Sequence, residues 1–175
     1  YFTNHLHAAM SRSLRIFVPA TVANVGSGFD ILGFALEQPG DEIEIRLKDT
    51  PGITITNESP FELPSNPEQN TAGISINAYL QHLNSMQGFE LTIVKKVKPG
   101  SGIGSSAASA VAGVFGANEL LGAPLKNEEL IPFAMEGEKY VTGVAHADNV
   151  GPALLGGFIL IRSYDPLDII KIPCP

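Results

Sequence analysis

A run of small residues at positions 99–109, PGSGIGSSAAS, constrains the fold of this chain more than any other segment. The run follows a strand-like stretch over residues 89–97 and leads into small and apolar residues that continue to Leu121. Glycines at alternate positions let the backbone turn tightly and approach a ligand closely. The segment therefore predicts a strand, a glycine-rich loop and a buried helix in direct succession.

The glycine-rich loop has the character of a phosphate cradle. Its N–H groups and those of the first helical turn can point at an anion, and serine hydroxyls stand at the helix start. One serine could cap the helix while the other binds a metal ion. The alternative is a tight turn with a serine N-cap. A Walker loop is excluded because no lysine lies within residues 100–106, and the glycine spacing does not fit a dinucleotide-binding fingerprint.

Strand and helix patterns are mixed along the chain without regular alternation. Period-2 or short apolar runs predict strands, and apolar residues at helical spacing predict helices. The predicted strands cover residues 14–18, 41–48, 53–56, 89–97 and 154–161. One predicted helix covers residues 71–86, and a second begins at residue 105. A third is predicted to be capped by Asn127, with inward-facing residues Leu130, Phe133, Ala134 and Tyr140. The predicted class is α+β, with a mixed, largely antiparallel sheet packed against helices.

Composition limits the function classes. The chain has 175 residues, 44% hydrophobic and 17% charged, with a net charge of −7. An acidic balance argues against a nucleic-acid partner, and no run approaches the ~18 apolar residues of a membrane span. The single cysteine, Cys174, excludes an intrachain disulfide. We expect a cytoplasmic protein without a nucleic-acid or membrane partner.

The sequence predicts three parts. Residues 1–11, which include His5 and His7, are interpreted as a tail without a functional role. Residues 12–162 are predicted to form one domain. Residues 163–175 read as a strand followed by prolines, and are predicted to begin a C-terminal domain that is absent from this chain.

Polar residues cluster in a second segment at positions 19–34, PATVANVGSGFDILGF. An amide at Asn24 and a carboxylate at Asp30, among glycines, suit a small substrate with an ammonium and a hydroxyl group. The alternative is structural: Asn24 tolerates left-handed geometry and Asp30 caps a helix.

Three segments together resemble the GHMP kinases, and within them the homoserine kinases. Residues 99–109 are similar to the P-x-x-x-G-L-G-S-S-A motif, with Ile103 in place of leucine and a spacing from Pro99 that differs by one residue. Residues 19–34 resemble P-A-[ST]-x-A-N-x-G-x-G-F-D. Residues 137–157, GEKYVTGVAHADNVGPALLGG, resemble G-E…G-x-x-H-x-D-N-x-x-P…G-G.

The resemblance implies an N-terminal domain with a ribosomal-protein-like two-layer fold, and ATP-dependent phosphorylation of L-homoserine in threonine biosynthesis. It assigns Mg²⁺ to Ser106 and Glu138, which are also the catalytic pair, with Glu136 as a solvated neighbour. It assigns homoserine to Asn24, Asp30, His146 and Asn149. It assigns ATP to Asn70, Pro99, Gly100, Ser101, Gly102, Ile103, Gly104, Ser105, Ser106 and Ala107.

Some alternatives stay open. Asn70 could be an ordinary helix N-cap, and Asp148 could simply hold its loop. Lys95, Lys96 and Lys98 lead into the glycine-rich loop and are expected to face ATP or solvent. The whole chain could belong to another GHMP small-molecule kinase, or act as a non-catalytic nucleotide-binding fragment. By itself it is expected to bind nucleotide weakly and to be nearly inactive, and a homodimer is possible.

Overall fold

A computed structural model describes residues 12–173 of the chain. The predictions for residues 1–11 and for Cys174 lie outside this range. Within it, the strands are β1 (Ser13–Val25), β2 (Gly28–Lys48), β3 (Ile53–Asn57), β4 (Gly88–Val94), β5 (Phe158–Tyr164) and β6 (Leu167–Ile172). The helices are α1 (Thr71–His82), α2 (Ser105–Leu120), α3 (Asn127–Thr142) and α4 (Val150–Leu155).

Strand β2 organises the sheet. It pairs antiparallel with β1, β4 and β5, and the sheet runs in the order β3-β4-β2-β5-β6 with β1 also on β2. The β5–β6 pair is antiparallel, and the β3–β4 pair is parallel. The predicted α+β class with a mixed, largely antiparallel sheet is confirmed.

The strands alternate between a buried and a solvent face. Ile43 and Ile45 of β2 are buried, while Glu42 and Glu44 between them point to the other face. On that outer face Glu42 forms an ion pair with Arg15 of β1. Helix α2 packs on β1 and β2, and α1 and α3 pack against α2. This alternation is what a sheet with one covered face requires.

The β1–β2 hairpin is longer than its sequence suggests. The predicted strands stop at residue 18 and resume at residue 41, whereas β1 continues to Val25 and β2 begins at Gly28 after a two-residue turn. Asn24 and Asp30 adopt φ values of 57° and 59° within these strands. Irregular pairing accommodates those residues, so a glycine-rich and polar segment forms a hairpin instead of a loop.

One strand prediction and one helix prediction were wrong in detail. The apolar run at residues 154–161 is not one strand, because its first two residues end α4 and the strand starts only at Phe158. Gly156 and Gly157, both with positive φ, separate the two elements. In α3 the N-cap is Lys126, and Tyr140 is exposed instead of facing inward.

Residues 163–173 continue the sheet in this structure. Strand β6 pairs with β5 from Tyr164↔Leu167 to Phe158↔Ile172, with one irregularity at Arg162, so β6 belongs to the same sheet. The division of the chain at this point stays a prediction. No helix within residues 12–173 is long and apolar enough to span a membrane.

Close packing of α2 gives a first testable prediction. A Cβ added at Gly113 would lie 2.8 Å from the carbonyl oxygen of Ala72 in α1, a backbone atom that cannot move easily. Gly113→Ala gains up to ~1 kcal/mol of helix propensity, but overpacking costs ~1–3 kcal/mol. We expect a net loss of about 1–2 kcal/mol in the free energy of unfolding, measured in urea.

Gln81→Ala is the matched control, because Gln81 is exposed in α1. Its effect should stay within about 0.5 kcal/mol. An unchanged or raised stability of Gly113→Ala would mean that α1 and α2 do not approach as closely as described.

Candidate active site

The glycine-rich loop leaves the start of α2 open. Gly100, Gly102 and Gly104 have φ values of 75°, 79° and 66°, a region that glycine enters without steric cost. Gly104 is the N-cap residue of α2, and no side chain caps the helix. The first N–H groups of a helix without a side-chain cap are available to an anion, where the helix dipole favours negative charge.

Lys95 anchors this loop to the sheet. Its ammonium group is buried and donates to Asp41 Oδ2 at 2.6 Å, to Ser105 Oγ at 2.8 Å and to the Ser105 carbonyl oxygen. Burial lowers the pKa of Lys95, and Asp41 opposes that effect. Of the two expected environments, solvent is wrong, because the side chain is buried and its donors are used within the protein; the side chain does line the cavity described below.

Ser105 also belongs to this anchor. Its hydroxyl donates to the carbonyl oxygen of Val97 at 3.0 Å. This hydroxyl does not cap α2. Its proton is also already shared with a protein acceptor and is not free for a ligand. Of the two serines at the helix start, Ser106 is the one whose side chain hydrogen-bonds to Glu138.

A cavity of about 700 Å³ brings most of the predicted residues together. Its walls come from the β1–β2 hairpin, the start of α1, the glycine-rich loop with the start of α2, and α3. The predicted residues that line it are Asn24, Asn70, Pro99, Gly100, Gly102, Gly104, Ser105, Ser106, Glu138 and Asn149. The predicted residues that do not line it are Asp30, Ser101, Ile103, Ala107 and His146.

Glu138 is a buried carboxylate that lacks a complete set of partners. Its Oε1 atom has no hydrogen-bond partner. Burial raises its pKa, while a hydrogen bond with the Ser106 hydroxyl and the charge of Lys95 lower it. An incompletely paired carboxylate oxygen beside a hydroxyl is a suitable donor set for a hard cation such as Mg²⁺.

Within residues 12–173, no group of three or more histidine, cysteine or acidic side chains could hold a metal ion. The Ser106–Glu138 pair offers two oxygen-bearing side chains to a cation. Ser109, one turn further along α2, has a second unpartnered buried oxygen and also lines the cavity. Sequence reasoning missed this residue, although its spacing from Ser105 and Ser106 is that of one helix face.

Asp30 and His146 lie together beside the cavity. His146 Nδ1 is 3.4 Å from Asp30 Oδ1, and the Asp30 N–H donates to Asn24 Oδ1 at 2.9 Å. Asp30 does not cap a helix, and Asn24 does adopt a left-handed conformation. Next to them, Asp148 is buried, and this burial raises its pKa. The arrangement offers carboxylate, amide and imidazole groups to a small polar ligand.

Thr21 connects the two sides of the cavity and was not found from the sequence. Its hydroxyl donates to Asn149 Oδ1 at 2.8 Å, and its N–H donates to the carbonyl oxygen of Ile103 at 3.1 Å. A Cβ at Gly104 would lie 1.9 Å from Thr21 Oγ1. Thr21 thus explains why Gly104 must be glycine, in addition to its positive φ.

Asn70 is the N-cap of α1. Its Oδ1 accepts from the Ala72 N–H at 3.0 Å, and its Nδ2 donates to the Pro64 carbonyl oxygen at 2.8 Å. The cap interpretation therefore describes its geometry, although the residue also lines the cavity.

Comparisons with known proteins show the family of this chain. The family model for the N-terminal domain of GHMP kinases matches residues 70–157, half of the chain. The chain belongs to the GHMP kinase family.

Individual relatives carry a more specific name. A homoserine kinase from Chloroherpeton thalassium is 46% identical over 171 residues, which cover 91% of this chain and 54% of the relative. A crystal structure of homoserine kinase from Cytophaga hutchinsonii superposes with a TM-score of 0.91 at 53% identity, over 98% of this chain and 55% of that one. A mevalonate kinase from L. major shares the fold, with a TM-score of 0.68 at 23% identity over 90% of this chain and 52% of that one. The chain thus spans about half the length of these relatives.

The buried Glu138 gives a prediction about stability and pH. Because burial raises the pKa of Glu138, the unfolded chain releases this proton at a lower pH than the folded one. Ionisation therefore disfavours the folded state as pH rises from about 4.3, the usual glutamate pKa, to the raised value. Glu138→Gln should be more stable than the wild type at pH 7, and this difference should disappear below about pH 4.

Thermal unfolding of both proteins across this pH range measures the effect. Glu136→Gln is the control, because Glu136 lies two residues away in α3 with a half-exposed side chain. A Glu138→Gln protein that is less stable at pH 7 would contradict the burial argument.

Proposed function

We propose that the full-length protein to which this chain belongs transfers the γ-phosphoryl group of ATP to the side-chain hydroxyl of L-homoserine, giving O-phospho-L-homoserine. The observation that carries the proposal is the shared cavity. It joins an uncapped helix start and glycine-rich loop, on one side, to Asn24 and Asn149, on the other. The names of the relatives support homoserine as the acceptor.

The nucleotide side of the site acts by binding and positioning. The triphosphate lies on the loop at residues 99–104, where backbone N–H groups and the dipole of the 16-residue helix α2 hold it. The Lys95–Asp41 pair keeps this loop in place on the sheet. Phosphoryl transfer depends mainly on such positioning and on charge stabilisation.

Ser106 and Glu138 are the residues that would hold Mg²⁺. When bound with ATP, the ion supplies positive charge that offsets the negative charge of the transferring group. The Glu138 carboxylate must be ionised for this role, and a nearby cation favours its ionised form. Ser106 lies at the start of α2. Its hydrogen bond with Glu138 therefore connects the carboxylate to the end of the proposed phosphate-binding loop.

The acceptor side is assigned to Asn24, Asp30, His146 and Asn149. The Asp30 carboxylate is the negative partner for the substrate ammonium. Asn149 is held by the Thr21 hydroxyl, and Asn24 is held through the Asp30 N–H, so both amides have fixed orientations. Fixed polar groups reduce the freedom that the substrate hydroxyl would otherwise have relative to the phosphoryl group.

The remaining expectations belong to the same proposal. We place the enzyme in the cytoplasm, on the route to threonine, with Mg²⁺ as its metal and a homodimer as its candidate assembly. The residues that bind the substrate carboxylate are expected in the half of the relatives that this chain does not cover.

A product assay tests the acceptor. The full-length protein with Mg-ATP should phosphorylate L-homoserine, with product detected by phosphorus NMR, and should show at least 100-fold lower kcat/KM with mevalonate or galactose. Preference for either of those acceptors would refute the proposal. Binding of nucleotide without transfer to any of the three would favour a non-catalytic role.

Asp30→Asn tests the ammonium partner. Loss of a charged hydrogen bond should raise KM for homoserine roughly 10- to 100-fold, with KM for ATP changing less than about 3-fold. Steady-state kinetics in the full-length protein measure both constants. Asp49→Asn is the matched control, because Asp49 is exposed and pairs with Arg12 far from the cavity. An effect confined to ATP would show that the hairpin contacts the other ligand.

A further inference from the structure

Tyr164 lies at the end of β5 and uses its hydroxyl group twice. The phenolic O–H donates to the carbonyl oxygen of Asp30 at 2.6 Å, and the phenolic oxygen accepts from the N–H of Ala147 at 3.4 Å. Both partners are backbone groups. They belong to two segments that are more than a hundred residues apart in sequence, the β1–β2 hairpin and the loop before α4.

The hydrogen bond to Asp30 acts on a residue with unusual backbone geometry. Asp30 has a φ of 59°, which a residue other than glycine keeps only when its surroundings hold it. Asn24 accepts from the Asp30 N–H, and Tyr164 donates to the Asp30 carbonyl. The peptide groups on both sides of Asp30 are therefore held, and with them the backbone position from which its carboxylate reaches His146.

The second hydrogen bond acts on the loop that carries His146 and Asn149. Ala147 is fully buried between these residues, and its carbonyl oxygen accepts from the Gly151 N–H at 2.7 Å. The Tyr164 hydroxyl oxygen accepts from the N–H of the same residue. Its phenol thus fixes the loop at the point from which the His146 side chain extends toward Asp30.

We propose that Tyr164 is a positioning residue of the acceptor site, which holds the Asp30 and His146 segments at the spacing that a small ammonium-bearing substrate needs. The inference rests on the proposed function. Tyr164 lies outside the three recognised segments and outside the span of the family match, residues 70–157. It acts through Asp30 and Ala147 and need not contact the substrate itself.

Tyr164→Phe in the full-length protein removes only the hydroxyl. Loss of the two hydrogen bonds should raise KM for L-homoserine about 5- to 30-fold, with kcat and KM for ATP within about 3-fold of the wild type. In the same variant, the ring signals of His146 in a proton–carbon NMR spectrum should shift, because the neighbouring Asp30 carboxylate loses its fixed orientation. Unchanged KM for homoserine together with unchanged His146 signals would overturn the proposal.

Tyr79→Phe is the matched control. The Tyr79 hydroxyl donates to Asn118 Oδ1 at 3.0 Å in the buried core between α1 and α2, away from the acceptor site. This variant should lose stability without changing the ratio of the two KM values or the His146 signals. If both variants change KM in proportion to lost stability, Tyr164 has only a general structural role and the proposal is wrong.

The two proposals can fail separately. A wild-type protein that does not phosphorylate homoserine refutes the proposed function, whereas the His146 signals still report whether Tyr164 positions this site. An active wild type with an unaffected Tyr164→Phe variant refutes only the positioning role.

Discussion

The buried ion pair between Lys95 and Asp41 is the interaction on which the candidate site depends. Their side chains are 3% and 1% exposed, and the remaining Asp41 oxygen accepts from the N–H groups of Lys96 and Val97. A buried charge pair is tolerated when additional hydrogen bonds satisfy both partners, as they do here. Since Lys95 also donates twice to Ser105, one network joins β2, the chain after β4 and the start of α2.

This network divides the polar groups of the cavity into two kinds. The side chains of Lys95 and Asp41 have all their hydrogen bonds within the protein. They therefore stabilise the walls and leave little charge for a ligand. Glu138 and Ser109 keep unpartnered oxygens in the same cavity. The protein therefore has a well-anchored glycine-rich loop beside a small set of incompletely satisfied groups, which is the pattern expected where a polar ligand completes the hydrogen bonding.

Much of the fold follows from local sequence patterns, and much of the site does not. Alternation in residues 41–48 and the small residues of α2 predicted their elements because periodicity and side-chain size act locally. The long β1–β2 hairpin was missed because its irregular residues look like a loop. The roles of Lys95, Thr21 and Tyr164 depend on partners far along the chain, and no local pattern encodes such partners. The motif residues Asn24, Ser106 and Glu138 were predicted from spacing within the sequence itself, and all three line the cavity.

The close approach of Gly104 to Thr21 has a consequence for how this sequence can vary. A β-carbon at position 104 would overlap the Thr21 hydroxyl, so alanine there requires a smaller residue without a hydroxyl at position 21, as well as a strained backbone. That smaller residue would no longer donate to Asn149. The two positions are therefore epistatic: a single substitution at either one changes the effect of the other, and a tolerated double change still removes a hydrogen bond from the opposite wall of the cavity.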